Sequence, residues 1–316
     1  MTARTARLGY PLVLLAATLF GLNAGVSRIP LRSGTPTDTF TTVRITSAFV
    51  AFVLIALVFQ RSALRVPRGR NLFLIAGLGI AGFAGVQWTY NVAINRLPLS
   101  IALLLEYLGP VLVVLWVRFV RREHVHPRMW PALALAVGGL AVVSQVWSGP
   151  DLDPLGVVMA LGAAVCFAAY FLLGEVTEEG ADVGTPLHVI LWAFAFATLM
   201  MNLVQPAWTA DALGGDVSML GRLADQAVPA WGAMAWVVLL GTVAPFFLLL
   251  IALRVLAATV VSIVAMLEPV VAALVGWLWF EEMLSPVQLV GMAAMLGGIL
   301  LAQTARHVEP ALPPPQ

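Results

Sequence analysis

The chain has 316 residues, 61% of them apolar and only 10% charged, against roughly 45–50% and about 25% in ordinary soluble domains. With a mean hydropathy of +0.95, too little polar chain remains to cover an aqueous surface, so a water-soluble globule is excluded and lipid is the expected solvent. The formal charge of +1 says little about partners, and the single Cys, Cys166, rules out an intramolecular disulfide or a multi-cysteine metal site.

A membrane-crossing helix needs about 20 mainly apolar residues. Apolar runs between charged or turn-rich punctuation predict ten such helices, near 9–28, 39–59, 72–94, 99–119, 129–147, 155–174, 187–206, 229–253, 256–279 and 286–304. The first run follows Arg4 and Arg7 but is longer than the apolar core of a signal peptide, and nine more runs come after it, so it reads as an uncleaved first helix. With the N-terminus inside, twelve Arg residues fall on the cytoplasmic side, and only Arg28, Arg32, Arg96 and Arg222 fall outside. This bias predicts that both termini are cytoplasmic. Trp116, Trp130, Trp147, Trp192, Trp208, Trp231 and Trp279 lie near predicted helix ends, where headgroups anchor them, and Trp88 does not.

An internal repeat organises the chain. A shift of 159 positions superimposes residues 93–144 on 252–303, matching Leu97 with Leu256, Pro110 with Pro269, Glu123 with Glu282, Pro127 with Pro286 and Gly138-Gly139 with Gly297-Gly298. A shift of 147 matches Gly9 with Gly156, Ala16-Ala17 with Ala163-Ala164 and Phe20 with Phe167. Each half then holds five helices, and an odd number sends the second half through the membrane upside down. Inverted repeats of this kind suit a secondary transporter, because two similar halves of opposite orientation can exchange outward-open and inward-open shapes at nearly equal energy.

Polar groups within the spans are few, and each costs free energy in hydrocarbon unless it meets a partner or a water-filled cavity. Glu106 sits about seven residues, roughly 10 Å, from the outer end of the fourth helix, and Pro110 frees its own backbone carbonyl. Gln87, Asn91 and Asn95 recur every four residues on the third helix and share one face. Their repeat counterparts are Phe246, Leu250 and Arg254, so the stripe belongs to one half alone. It reads either as a substrate face, with Trp88, Tyr90 and Tyr107 as neighbours, or as hydrogen-bonding between helices. Glu268 is the deepest carboxylate and precedes Pro269, which removes the hydrogen bond to the Ala265 carbonyl. Either Glu106 or Glu268 could carry a coupling proton, or Glu268 could be a structural carboxylate paired with Arg44 or a backbone amide. Arg44 itself is expected to snorkel to the outer interface.

Gly77, Ala81 and Gly85, and Ala134 with Gly138, read as helix contacts. No nucleotide-binding or nucleophile-elbow motif occurs, and His124, His126, His188 and His307 are too scattered to hold a metal. The 207–228 loop and the PALPPPQ tail are expected to be flexible.

Two segments carry a family likeness: LPLSIALLLEYLGPVL and LEPVVAALVGWLWFEEMLSPVQLVGMAAMLGG resemble the paired EamA repeats of the drug/metabolite transporter superfamily. The second does so through Glu268-Pro269, Gly276, Glu282, Gln288 and Gly291. The first, with Glu106, Gly109 and Pro110, is similar to the threonine and homoserine exporter subgroup, although its RREHVH turn is more basic than the FEEMLSP turn it should mirror. The resemblance implies an all-α membrane protein of two inverted five-helix repeats, at residues 9–147 and 154–304, with a cytoplasmic N-terminus (1–8) and a flexible cytoplasmic tail (305–316). It further implies efflux of small amino acids or related metabolites across a bacterial inner membrane. A substrate dianion would call for several buried cations, and only Arg44 lies within a span, so a zwitterionic or weakly charged substrate fits better.

The expectation is therefore a secondary exporter working by alternating access around a cavity lined by the third, fourth and ninth helices. Asn23 and Tyr170 are added from the first and sixth helices, and Gly109, Pro110 and Pro269 are the hinge candidates. No metal or cofactor is expected, with proton coupling as the energy source. The expected partners are the substrate, the bilayer and a second copy in a homodimer, with no nucleic acid. The alternatives are a broad-specificity drug exporter and, more remotely, an intramembrane enzyme using Glu106 as a base, for which the spans offer no second catalytic group.

Overall fold

The computed structural model describes residues 3–94, 96–97, 99–145, 152–179, 184–207, 214–281 and 283–304. Asn95, Trp147, Trp208, Glu282, His307 and the C-terminal tail lie outside them. Among the described residues, nine helices are long and apolar enough to cross a bilayer: Gly9–Arg32 (α1), Thr37–Phe59 (α2), Arg70–Ala93 (α3), Ile101–Val120 (α4), Pro154–Thr177 (α6), Pro186–Val204 (α7), Ala230–Leu253 (α8), Ala258–Phe280 (α9) and Pro286–Thr304 (α10). A shorter apolar helix, Met129–Val143 (α5), stands between α4 and α6. The ten sequence-predicted spans are recovered, α1 running four residues further and α5 stopping earlier than expected.

Local chemistry sets several of the ends. Pro286 occupies the first turn of α10, where its missing N–H would have had no partner. Just before it, Ser285 Oγ accepts from Gln288 N (3.2 Å) while Gln288 Oε1 accepts from Ser285 N (2.9 Å), a reciprocal cap. Gln288 also donates to the Val143 carbonyl at the end of α5 (3.3 Å), so this one residue both starts α10 and ties it to α5. At the start of α6, Asp153 accepts from the Leu155 and Gly156 amides and pairs with Arg96 (3.1 Å). The Gly156 amide first, then Arg96 and the Leu155 amide, hold its carboxyl below the ordinary carboxylate value.

The inverted repeat is written into the packing. A Cβ on Gly9 would lie 2.6 Å from Leu256, and one on Gly156, its twin, would lie 2.8 Å from Leu97, the twin of Leu256. Where α5 crosses α10, a Cβ on Gly139 would meet the Gly291 carbonyl oxygen at 2.5 Å and Met295 at 2.7 Å. The twin position, Gly298, meets the Ala132 carbonyl oxygen at 2.5 Å and Ala136 at 2.8 Å, and those two residues are the twins of Gly291 and Met295. Small residues let the two backbones touch, and in lipid such van der Waals contact is a main source of helix association. The turns after α4 and α9 match as well: Arg122 and its twin Glu281 both take a left-handed backbone with φ of 58°.

Three expectations are corrected. Gly138 faces open space, and the close crossing belongs to its neighbour Gly139. The 207–228 loop is not featureless where it is described: Asp216–Ser218 (β1) pairs antiparallel with Ala227–Pro229 (β2). This hairpin sits against the end of α9, where Trp279 Nε1 donates to the Leu220 carbonyl (3.3 Å). Trp192 does not reach out to headgroups, since its indole nitrogen is buried within the bundle. The expected anchors Trp116, Trp130 and Trp231 are exposed.

The α5–α10 crossing gives a direct stability test. Gly139→Leu and Gly298→Leu should each lower the thermal midpoint of the detergent-purified protein by similar amounts, reflecting about 1–3 kcal/mol of overpacking. Gly138→Leu should leave the midpoint within error of wild type. Unequal losses at the twin glycines would show that the crossing is not symmetric in energy.

Candidate functional site

Two helices are interrupted, one in each repeat. The first segment of α4 ends at Glu106 and the helix resumes at Gly109–Leu115. Within α9, Ala258–Ala265 gives way to Leu267–Phe280. At the breaks, Leu108 N and Met266 N reach back three residues, to Leu105 (3.2 Å) and Ile263 (3.1 Å), instead of four. The cause is chemical, because Pro110 and Pro269 cannot bond the carbonyls of Glu106 and Ala265. The interruptions at Tyr107 and Met266 fall on twin positions. Backbone freed at membrane depth is tolerated where it is buried in protein or lines a cavity.

A second pair of irregularities flanks the first. The turns of α3 widen over Leu78–Gly85, and those of α8 widen over Leu239–Val243, the twin of residues 80–84. Such π-type turns leave carbonyls under-bonded and are frequent at functional sites. In α8 the freed carbonyl has a partner that sequence reasoning misjudged. Arg44 on α2 does not snorkel outward: its Nη2 donates to the Gly241 carbonyl (2.9 Å) and its Nε to Thr242 Oγ1 (2.6 Å). Thr242 in turn donates to the Val237 carbonyl (2.8 Å), five residues back. The sequence signal for an inward Arg44 is that the other cations within the spans lie close to span ends.

These irregular segments gather the polar groups. Glu106, at the end of the first α4 segment, and Glu268, in the first turn of the second α9 segment, lie within electrostatic reach of each other and of Tyr90 and Tyr107. Tyr107 lies beside Glu268, and the Arg44 charge also reaches this carboxylate. Glu268 therefore has a tyrosine and a cation nearby, while the groups to which Arg44 bonds are those of α8. The helix dipole supports negative charge at Glu268, on a segment N-terminus, and opposes it at Glu106, on a segment C-terminus. Both side chains keep partial accessibility, as Tyr90 and Arg44 do, whereas Tyr107 is buried.

The remaining predicted residues divide. Asn23 is buried against Gly241, where a Cβ would collide with its amide, and its Oδ1 makes no hydrogen bond among the described residues. Asn91 donates to Thr41 Oγ1 (2.7 Å), joining α3 to α2 as the hydrogen-bonding reading allowed. Gln87 is half-buried and lies about 60° around the helix from Tyr90, while Trp88 lies about 160° away and is exposed, turned from the carboxylates. Tyr170 belongs to a packed aromatic cluster, 5.3 Å from Phe83 and 5.7 Å from Phe246 between ring centroids. Phe246, the twin of Gln87, also meets Phe20 at 4.8 Å, so the second half fills with aromatic rings the position where the first half leaves an amide. Gly109 packs on Phe167 and the Ala164 carbonyl, beside Pro110, which is buried as Pro269 is.

Comparison with known proteins agrees with this architecture. The threonine/homoserine exporter RhtA of Escherichia coli (strain K12) is 29% identical over 296 residues, covering 90% of this chain and 88% of that protein. An uncharacterized transporter of Archaeoglobus fulgidus is 27% identical over 302 residues, covering 95% and 97%. A crystal structure superimposes with a TM-score of 0.74 over 98% of this chain and 100% of its own at 19% identity, which establishes a shared fold. The sequence model of the EamA-like transporter family matches twice, over residues 7–145 and 154–304, one match for each five-helix half. With both repeats matched and their packing twinned, the chain belongs to the EamA-like transporter family, as a multi-pass membrane transporter and not an enzyme.

Proposed function

We propose that the protein exports small amino acids or related metabolites by alternating access, in exchange for protons, across a bacterial cytoplasmic membrane with both termini inside. The observation that carries the reading is that Glu106 and Glu268, one from each repeat, lie within electrostatic reach of each other at the breaks of α4 and α9, with Tyr107 beside them. A pair of carboxylates at the junction of two mobile halves can hold either protons or the ammonium group of a substrate. Competition between the two at one place couples their movements. The Arg44 charge near Glu268 and the Asn23 oxygen at Gly241 support a substrate with both a cationic and an anionic end. The 29% identity to a threonine/homoserine exporter supports the amino-acid class, and the Arg bias supports the orientation. Both broken helices come from one chain, so bringing the two carboxylates together needs no second copy.

Counterflow of labelled threonine, homoserine and a small amino-acid panel into proteoliposomes tests this directly. Saturable uptake of at least one panel member, accelerated several-fold by an imposed pH gradient, is the expected result. Gradient-insensitive uptake would remove the proton from the mechanism. No uptake across the panel, together with efflux of unrelated cationic dyes, would reassign the substrate to drug-like cations.

A further inference from the structure

We infer that Glu175 is the lock that closes one face of this transporter, the face where α4 ends and α9 begins; the inference rests on the alternating-access reading above. Glu175 lies near the end of α6 and is buried. One carboxylate oxygen pairs with Nη1 of Arg121, immediately after α4, and the other accepts from the Ala258 amide (2.6 Å), the first N–H of α9. One side chain therefore holds together the ends of the two broken helices, which come from opposite repeats. The Ala258 amide is a helix-start N–H with no partner inside the helix, and a carboxylate there is further favoured by the α9 dipole. Beside this clamp lies a cavity whose walls include Val117, His126, Thr259 and Val260, so opening the clamp would open the bundle at that mouth.

The repeat provides an internal control for the argument. The twin of Glu175 is Arg28, and the twin of Arg121 is Phe280. On the opposite face these two also touch, the Arg28 guanidinium lying 4.7 Å from the centre of the Phe280 ring. The pairing of α6 with α4 is thus mirrored in the pairing of α1 with α9, a cation over a ring standing at the position of the Glu175–Arg121 ion pair. The third arm is chemically impossible there, because a guanidinium has no acceptor for a helix-start N–H. Arg28 cannot grip the start of α4 as Glu175 grips the start of α9. Among the described residues, the three-way clamp therefore lies on the Glu175 face.

The test uses full-length protein carrying Cys166→Ser and Thr259→Cys, reacted in oriented vesicles with a membrane-impermeant maleimide applied to each side in turn. Glu175→Ala should raise the labelling rate at position 259 about tenfold or more, from one side only. Glu175→Gln keeps an acceptor for the Ala258 amide but loses the ion pair, and should give an intermediate rate; Arg121→Gln should match it. Arg28→Ala, on the opposite face, should not expose position 259. Labelling rates unchanged in both Glu175 variants, with thermal midpoints near wild type, would overturn the lock. Loss of the lock and loss of the transport reading remain separable: faster labelling without counterflow of any solute keeps the clamp and discards the exporter, and counterflow with unchanged labelling does the reverse.

Discussion

Glu268→Gln and Glu106→Gln should each reduce pH-gradient-driven transport by about a hundredfold, equivalent to roughly 2.7 kcal/mol of barrier, with the purified variants as folded as wild type. The amide matches the carboxylate in shape but cannot release a proton or hold an ammonium group by charge. The two variants should differ in one respect. Glu268 lies beside Tyr107 and feels the charge of Arg44, so its replacement should also weaken substrate binding measured without a gradient, while Glu106→Gln should chiefly abolish the response to the gradient. The double variant should be little worse than either single one, because groups acting as a unit lose their effect together. Additive losses would mean that the carboxylates work at separate steps.

Arg44→Met should be the most destabilising single substitution within the spans. The guanidinium makes two charge-assisted hydrogen bonds to α8, each worth about 1.5–3 kcal/mol. Removing it leaves the Gly241 carbonyl without its donor and Glu268 without its nearby cation. The thermal midpoint in detergent should fall by about 5 °C or more. Arg44→Lys should recover only part of the loss, since one ammonium cannot reproduce a forked grip on a carbonyl and a hydroxyl. Thr242→Val should cost less than Arg44→Met, because the carbonyl bond survives it. A midpoint unaffected by Arg44→Met would mean that the widened α8 turn is held by its own packing.

Much of this architecture could be read from the residues alone, and the reasons are physical. Ten spans follow from the length of apolar runs, because the bilayer fixes that length. The repeat followed from prolines and glycines, whose backbone requirements hold them in register while apolar residues drift. Pro110 and Pro269 located both helix breaks to within a few residues. What escaped was tertiary. The widened turns in α3 and α8 carry no proline to announce them, so the freed carbonyl at Gly241 and the need for a donor there were invisible. Without that carbonyl, Arg44 had no evident reason to stay inside, and snorkelling was the cheaper assumption. The Asn91 bond to Thr41 and the outward turn of Trp88 depend on how α3 is rotated, which periodicity gives only to within a face. The close crossing was assigned to Gly138 and not Gly139 for the same reason.

Twinned packing also says where a resting preference must come from. If every residue equalled its twin, turning the molecule over would return the same molecule, and inward-open and outward-open shapes would be equally populated. Any bias is therefore a sum over the positions at which the twins disagree, among them Gln87 against Phe246, Gly109 against Glu268, Arg28 against Glu175 and Arg121 against Phe280. Exchanging side chains across such pairs, where the packing has room for them, should shift the preference, whereas the same change made at both members of a matched pair such as Gly139 and Gly298 should alter stability and leave the ratio of the two shapes alone.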